Sequence, residues 1–75
     1  MPWEGFIKPN SYMEKYKQNL ESEKSELEKR LQKLNDFNAS EEAEKIDPVQ
    51  RSISIIQAGA MYTYLECLKE ALARF

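Results

Sequence analysis

The sequence predicts an all-α protein: a two-helix antiparallel hairpin with an extended aromatic N-terminal arm, completing its core by oligomerisation. Three observations predict this. Apolar residues recur at steps of three and four along both halves. Two helix-start signals, at Ser11 and at Asp47-Pro48, divide the chain. Turn residues Asn35, Asp36, Asn38 and Ser40 fall between the two periodic segments.

Residues 1–10 read as the arm. Pro2 and Pro9 lack backbone donors, Gly5 is conformationally free, and Trp3, Phe6 and Ile7 lie between them. Such an apolar cluster either covers the open end of the hairpin or docks on a neighbouring chain. The first helix is expected over residues 11–37. Ser11-Tyr12-Met13-Glu14 matches a capping box. Met13, Tyr16, Leu20, Leu27, Leu31, Leu34 and Phe37 follow at helical spacing. The all-polar turn from Glu21 to Glu26 is expected to leave the core and to be held by pairs such as Glu26 with Arg30. Glu23 and Arg30 are expected to interrupt the alternate core positions, which disfavours an extended coiled coil.

The connection spans residues 38–47. Ser40 to Ile46 reads as an acidic solvated loop in preference to an added helical turn. The second helix, residues 48–74, has the stronger start: Asp47 as cap, Pro48 at the first helical position and Gln50 closing the box. Its apolar residues do not keep to one face. Val49, Ile53, Ile56 and Ala60 mark one stripe; Met61, Leu65, Leu68 and Leu72 mark another; Ile55, Tyr62 and Tyr64 fall outside both. A helix apolar over much of its circumference is normally covered on several sides. The first helix, with its single interrupted stripe, cannot cover it all. An identical chain is the simplest cover.

Composition excludes several classes. A chain of 75 residues is one small domain. With a single cysteine, Cys67, it has no internal disulfide, and with no histidine it offers no zinc-type ligand set. No metal or other cofactor is expected. The lone thiol and the lack of a visible secretory signal point to a cytoplasmic chain, or to one exported without a cleaved signal. No segment has the roughly 20 apolar residues of a membrane span. Net charge is −2, and the bases of the first helix alternate with acids, so neither nucleic acid nor membrane is expected as a partner.

Catalysis is not expected. Without histidine the Ser-His and Cys-His arrangements cannot form. Cys67, inside an apolar helical segment, reads as inert core. Two binding hypotheses remain. In the first, the hairpin self-associates or docks on a larger protein through Ile53, Ile56, Gly59, Ala60, Met61, Tyr64 and Leu68, with Trp3 and Phe6 contributing. Gly59 in mid-helix suggests close backbone approach there, by a crossing helix or by a ligand. In the second, an oligomer binds a nucleotide-like small ligand through Arg51, Tyr62, Tyr64 and Lys69, because stacking aromatics with cations suit such a ligand.

Two resemblances bear on the choice. Pro2-Trp3-Glu4-Gly5-Phe6-Ile7, with Leu31 and Leu34 late in the first helix and Asp47-Pro48 opening the second, resembles the needle-subunit hairpins of type III secretion. That likeness implies a secretion-apparatus subunit, or a small chaperone of similar shape. The second helix is about ten residues shorter than a needle's. Separately, Gln57-Ala58-Gly59-Ala60-Met61 is similar to a Gln-x-Gly-aromatic-Met stretch in helical phage proteins that sequester cyclic nucleotides. Here Ala60 stands where that stretch has its aromatic.

Overall fold

A computed structural model describes the chain from residue 9 to residue 75, and its side chains from Tyr12 onward. The aromatic residues Trp3 and Phe6 lie outside the described residues. Every element is helical: α1 spans Pro9–Asn38, α2 spans Glu41–Glu44 and α3 spans Pro48–Ala73. Helix α1 begins two residues before Ser11, so Ser11 belongs to its first turn and does not precede it. Proline accounts for the earlier start. Its fixed φ suits the first helical position, and its missing N–H is one that no helix start could satisfy internally.

Helices α1 and α3 pack on one another. Asn38 meets Ser54, Glu23 meets Tyr64 and Tyr16 meets Phe75. As the first partner moves towards the N-terminus, the second moves towards the C-terminus. The least exposed positions of α1 are Leu20, Lys24, Leu27, Leu31, Leu34 and Asn38, and those of α3 are Arg51, Ser54, Ala58, Met61, Leu65, Leu68 and Leu72, with Ala71 half-buried beside the last. Both series alternate steps of four and three, which keeps one narrow stripe of each helix turned to the other. Leu27, Leu31, Leu65 and Leu68 are buried at its centre, with Leu20, Ala58 and Met61 packed against them.

The polar turn of α1 touches this seam through Lys24 alone, and Glu21, Ser22, Glu23, Ser25 and Glu26 are exposed. Position 24 is the inward one, and the Lys24 side chain lies over the seam with its ammonium 3.6 Å from Glu28. A four-carbon stem can cover apolar surface while its head stays wet. Glu23 and Arg30 are exposed and interrupt nothing. Glu26 pairs with Lys29 at 4.0 Å, not with Arg30. Towards its N-terminus α1 overhangs α3. Met13 and Tyr16, expected in the apolar stripe, are therefore exposed, although the Tyr16 ring keeps a tilted contact with Phe75 at 5.9 Å.

The connection contains a helical turn where an acidic loop was expected. Glu41, Glu42 and Glu44 face solvent, and between them Ala43 is 0% exposed, against the end of the α1–α3 seam. Burial of this one methyl orders the turn. The loop is further held where Ser54 Oγ donates to Asn38 Oδ1 at 2.7 Å and Asn38 Nδ2 donates to the Ser54 carbonyl at 3.3 Å. Ser40 Oγ donates to the Phe37 carbonyl at 2.6 Å, satisfying an acceptor at the end of α1. Helix α3 has the expected cap: Asp47 Oδ2 accepts from the amides of Val49 and Gln50 at 3.1 and 3.2 Å, and Pro48 follows it, with Gln50 joining through its backbone amide.

Only one of α3's two apolar stripes is used within the chain. Met61, Leu65, Leu68 and Leu72 face α1, whereas Val49, Ile53 and Ile56 remain 65, 50 and 70% exposed. Cys67, expected in the core, is exposed on that same outer side. Gly59 makes no close approach within the chain: a Cβ built there meets nothing within 4 Å. Among the described residues, no helix is long and apolar enough to cross a membrane.

Two substitutions test this packing by urea unfolding followed by circular dichroism. Leu65→Ala removes a central seam residue and is expected to cost about 3 kcal/mol. Gly59→Ala should add up to about 1 kcal/mol, since helix propensity improves and the new methyl has room. A destabilising Gly59→Ala would show that something approaches this glycine closely.

Candidate functional site

Within one chain the sequence-predicted ligand residues, expected to line a site between chains, do not converge. Tyr62 and Tyr64 are two positions apart on one helix, so about 200° separates their directions. They occupy opposite flanks of α3. Lys69 donates to Glu66 at 3.2 Å on the surface. Arg51 lies in the α3 seam near the loop, half-buried, with its Nε shielded from solvent and lacking a hydrogen-bond partner.

Tyr64 crosses to α1, where its hydroxyl donates to Glu23 Oε1 at 3.1 Å. That hydrogen bond to a carboxylate, then partial desolvation and the carboxylate's negative charge, raise the Tyr64 phenol above its ordinary pKa of 10.0. All three favour the protonated phenol.

Beyond Tyr64 on the same flank runs an open groove of about 390 Å³, lined by Arg30, Lys33, Leu34, Phe37, Gln57 and Met61. Gln57, Met61 and Tyr64 follow one another at steps of four and three, so they form one row on α3. Arg30, Lys33 and Phe37 do the same on α1. Leu34 and Met61 make an apolar floor, the Phe37 ring stands at one end and Gln57 offers an amide. Arg30 and Lys33 take part in no ion pair among the described residues, whereas Lys24, Lys29, Lys45, Lys69 and Arg74 each hold a glutamate. Because Glu26 pairs with Lys29, the Arg30 guanidinium is left for the groove.

The groove therefore combines two unneutralised cations, an aromatic edge, an amide able to donate and accept, and an apolar base. Its size is at the lower end of small-molecule sites. The Sequestin family model matches residues 14–73, which include every residue of this groove. The chain belongs to the Sequestin family. No curated protein and no solved structure gives a match. The Sequestin match runs from the second turn of α1 to the end of α3, so it contains the whole seam.

Sequence reasoning missed Arg30, Lys33 and Phe37 as groove residues. It read Arg30 as a surface partner of Glu26 and Phe37 as the last residue of the apolar stripe. Gln57 and Met61 did stand out, as the first and last members of the Gln57–Met61 segment.

The phenol shift gives a pH test. A raised pKa in the folded chain stabilises the fold below the ordinary phenol pKa, and that stabilisation is lost as pH rises through the folded value. In an ultraviolet difference titration against Tyr64→Phe, the Tyr64 phenolate should form at higher pH than the remaining tyrosines. In Glu23→Ala it should return towards theirs. A Tyr64 that ionises together with the others in the wild-type chain would remove the Glu23 contact.

Proposed function

We propose that this Sequestin-family chain binds and sequesters a small, anionic, nucleotide-like ligand in the α1–α3 groove. It does so without catalysis, as a homo-oligomer of helical hairpins in the cytoplasm. The observation that carries this reading is the pair of unneutralised cations, Arg30 and Lys33, beside the Phe37 ring and the Gln57 amide. Cations supply charge-assisted hydrogen bonds to phosphate oxygens. An aromatic edge and a planar amide suit a nucleobase, by stacking and by paired hydrogen bonds. The family's name, with its sense of sequestering, agrees with retention of a ligand in preference to its turnover. An open groove without a histidine supports the same view, because it offers neither a general base of ordinary pKa near neutrality nor exclusion of water.

A second reading, docking on a larger protein, is favoured by the exposed stripe of Val49, Ile53 and Ile56. The two readings use different surfaces and are separable by mutation.

The test is calorimetric titration and thermal shift with a panel of linear and cyclic nucleotides. Wild-type protein should be stabilised by at least one of them. Arg30→Ala and Lys33→Ala should each weaken binding about tenfold or more, the scale of a lost charge-assisted hydrogen bond. Arg51→Ala and Lys69→Ala should leave affinity nearly unchanged. Absence of a shift with every nucleotide would defeat the proposal. Loss of binding in Arg51→Ala or Tyr62→Ala, with Arg30→Ala unaffected, would move the site to the opposite flank.

A further inference from the structure

We infer that a second copy of this chain packs antiparallel against the outer face of α3, about a two-fold axis near Ala60. The inference rests on the oligomeric part of the proposed function and assigns its surface, orientation and register.

At 100° per residue, Val49, Ile53, Ile56, Ala60 and Cys67 fall within about 60° of one another, roughly 130° from the centre of the α1-facing stripe. This outer face is uncharged over its centre, since no charged residue occurs anywhere from Ser52 to Leu65. With Tyr64 at its edge it exposes on the order of 500 Å² of largely apolar side chain per chain. Full burial of both faces would cover about 1,000 Å², the lower bound for a specific interface.

Charge decides between the two directions. The loop end, residues 36–51, has five acids (Asp36, Glu41, Glu42, Glu44 and Asp47) against two bases (Lys45 and Arg51), a net −3. The opposite end of α3, residues 66–74, balances Glu66 and Glu70 against Lys69 and Arg74. Parallel pairing would set −3 beside −3 within a Debye length, whereas antiparallel pairing sets each acidic end beside a neutral one. It also places each helix N-terminus beside the partner's C-terminus, as the helix dipoles favour. A two-fold contact needs a self-complementary centre, and Ala60 lets two copies of α3 approach closely there.

The native Cys67 reports the register. Ile53 and Cys67 lie seven residues either side of Ala60. An antiparallel pair centred there sets Ile53 of one chain opposite Cys67 of the other, and holds the two Cys67 thiols about 20 Å apart, beyond disulfide reach. Three full-length proteins are oxidised with diamide and their masses measured by light scattering before and after denaturation. Ile53→Cys, with Cys67 retained, should become a covalent dimer, as should Ala60→Cys combined with Cys67→Ser. The wild type should be a dimer in buffer but a monomer once denatured.

Cross-linking of the wild type through Cys67 would overturn the antiparallel register while leaving self-association standing. A wild type of monomer mass in buffer would overturn both. Ile56→Glu should give a monomer of unchanged helical circular dichroism, and an intact Ile56→Glu dimer would place the contact elsewhere. Nucleotide affinity is read separately, so loss of the ligand reading and loss of the interface give different results.

Discussion

The structure depends on the burial of four leucines, Leu27 and Leu31 from α1 against Leu65 and Leu68 from α3. Two helices make a thin core. Each seam residue is covered from one side by its own helix and from the other by a single partner, and among the described residues no third layer lies behind it. The described surface ion pairs join residues three or four apart on one helix and are worth a few tenths of a kcal/mol each. They support α1, α2 and α3 individually without joining one to another. The association of α1 with α3 rests on the seam and on the few side chains that cross it.

Those crossing side chains set the register. A leucine seam with a repeating four-three step tolerates a slip of seven residues, because the pattern looks the same after the shift. Asn38 with Ser54 does not tolerate it, since a slip strands part-buried polar atoms that now satisfy one another, and the exposed Glu23–Tyr64 hydrogen bond adds a weaker preference. Ala43 adds a steric limit at the loop, where the fully buried methyl leaves no room for a larger residue. The ends of the α1–α3 seam are thus specified by polar and small residues, and its middle by leucine.

This division explains what could be read beforehand. The all-helical class, the Asp47-Pro48 start and the inward stripe of Met61, Leu65, Leu68 and Leu72 follow from local chemistry and periodicity, which are properties of one segment at a time. Lys24 in the seam was not legible, because a lysine's stem and its ammonium obey opposite rules and only the partner surface decides between them. Ala43 was hidden among three glutamates for the same reason. The groove was the least legible feature. It needs Arg30, Lys33 and Phe37 from one helix and Gln57 and Met61 from the other, and which flanks meet depends on the register just described. Tyr62 and Tyr64 looked like a pair in sequence, yet adjacency along a helix separates side chains instead of gathering them.

Helix α3 serves three directions at once. One stripe fills the seam, the Gln57–Met61–Tyr64 row walls the groove, and Val49, Ile53, Ile56 and Ala60 remain outside. A helix serving only a two-helix core would be polar over the last of these, as α1 is over its own outer surface. The asymmetry between the two helices is therefore informative: α1 has been given a solvated back and α3 has not. Since Ile53 and Ala60 neighbour the Gln57–Met61 row on the same helix, whatever covers the outer face of α3 also borders the groove. Under the proposed function the groove and the outer face lie on either side of this one row, each with side chains of its own, so each can be changed by mutations that leave the other's contacts in place.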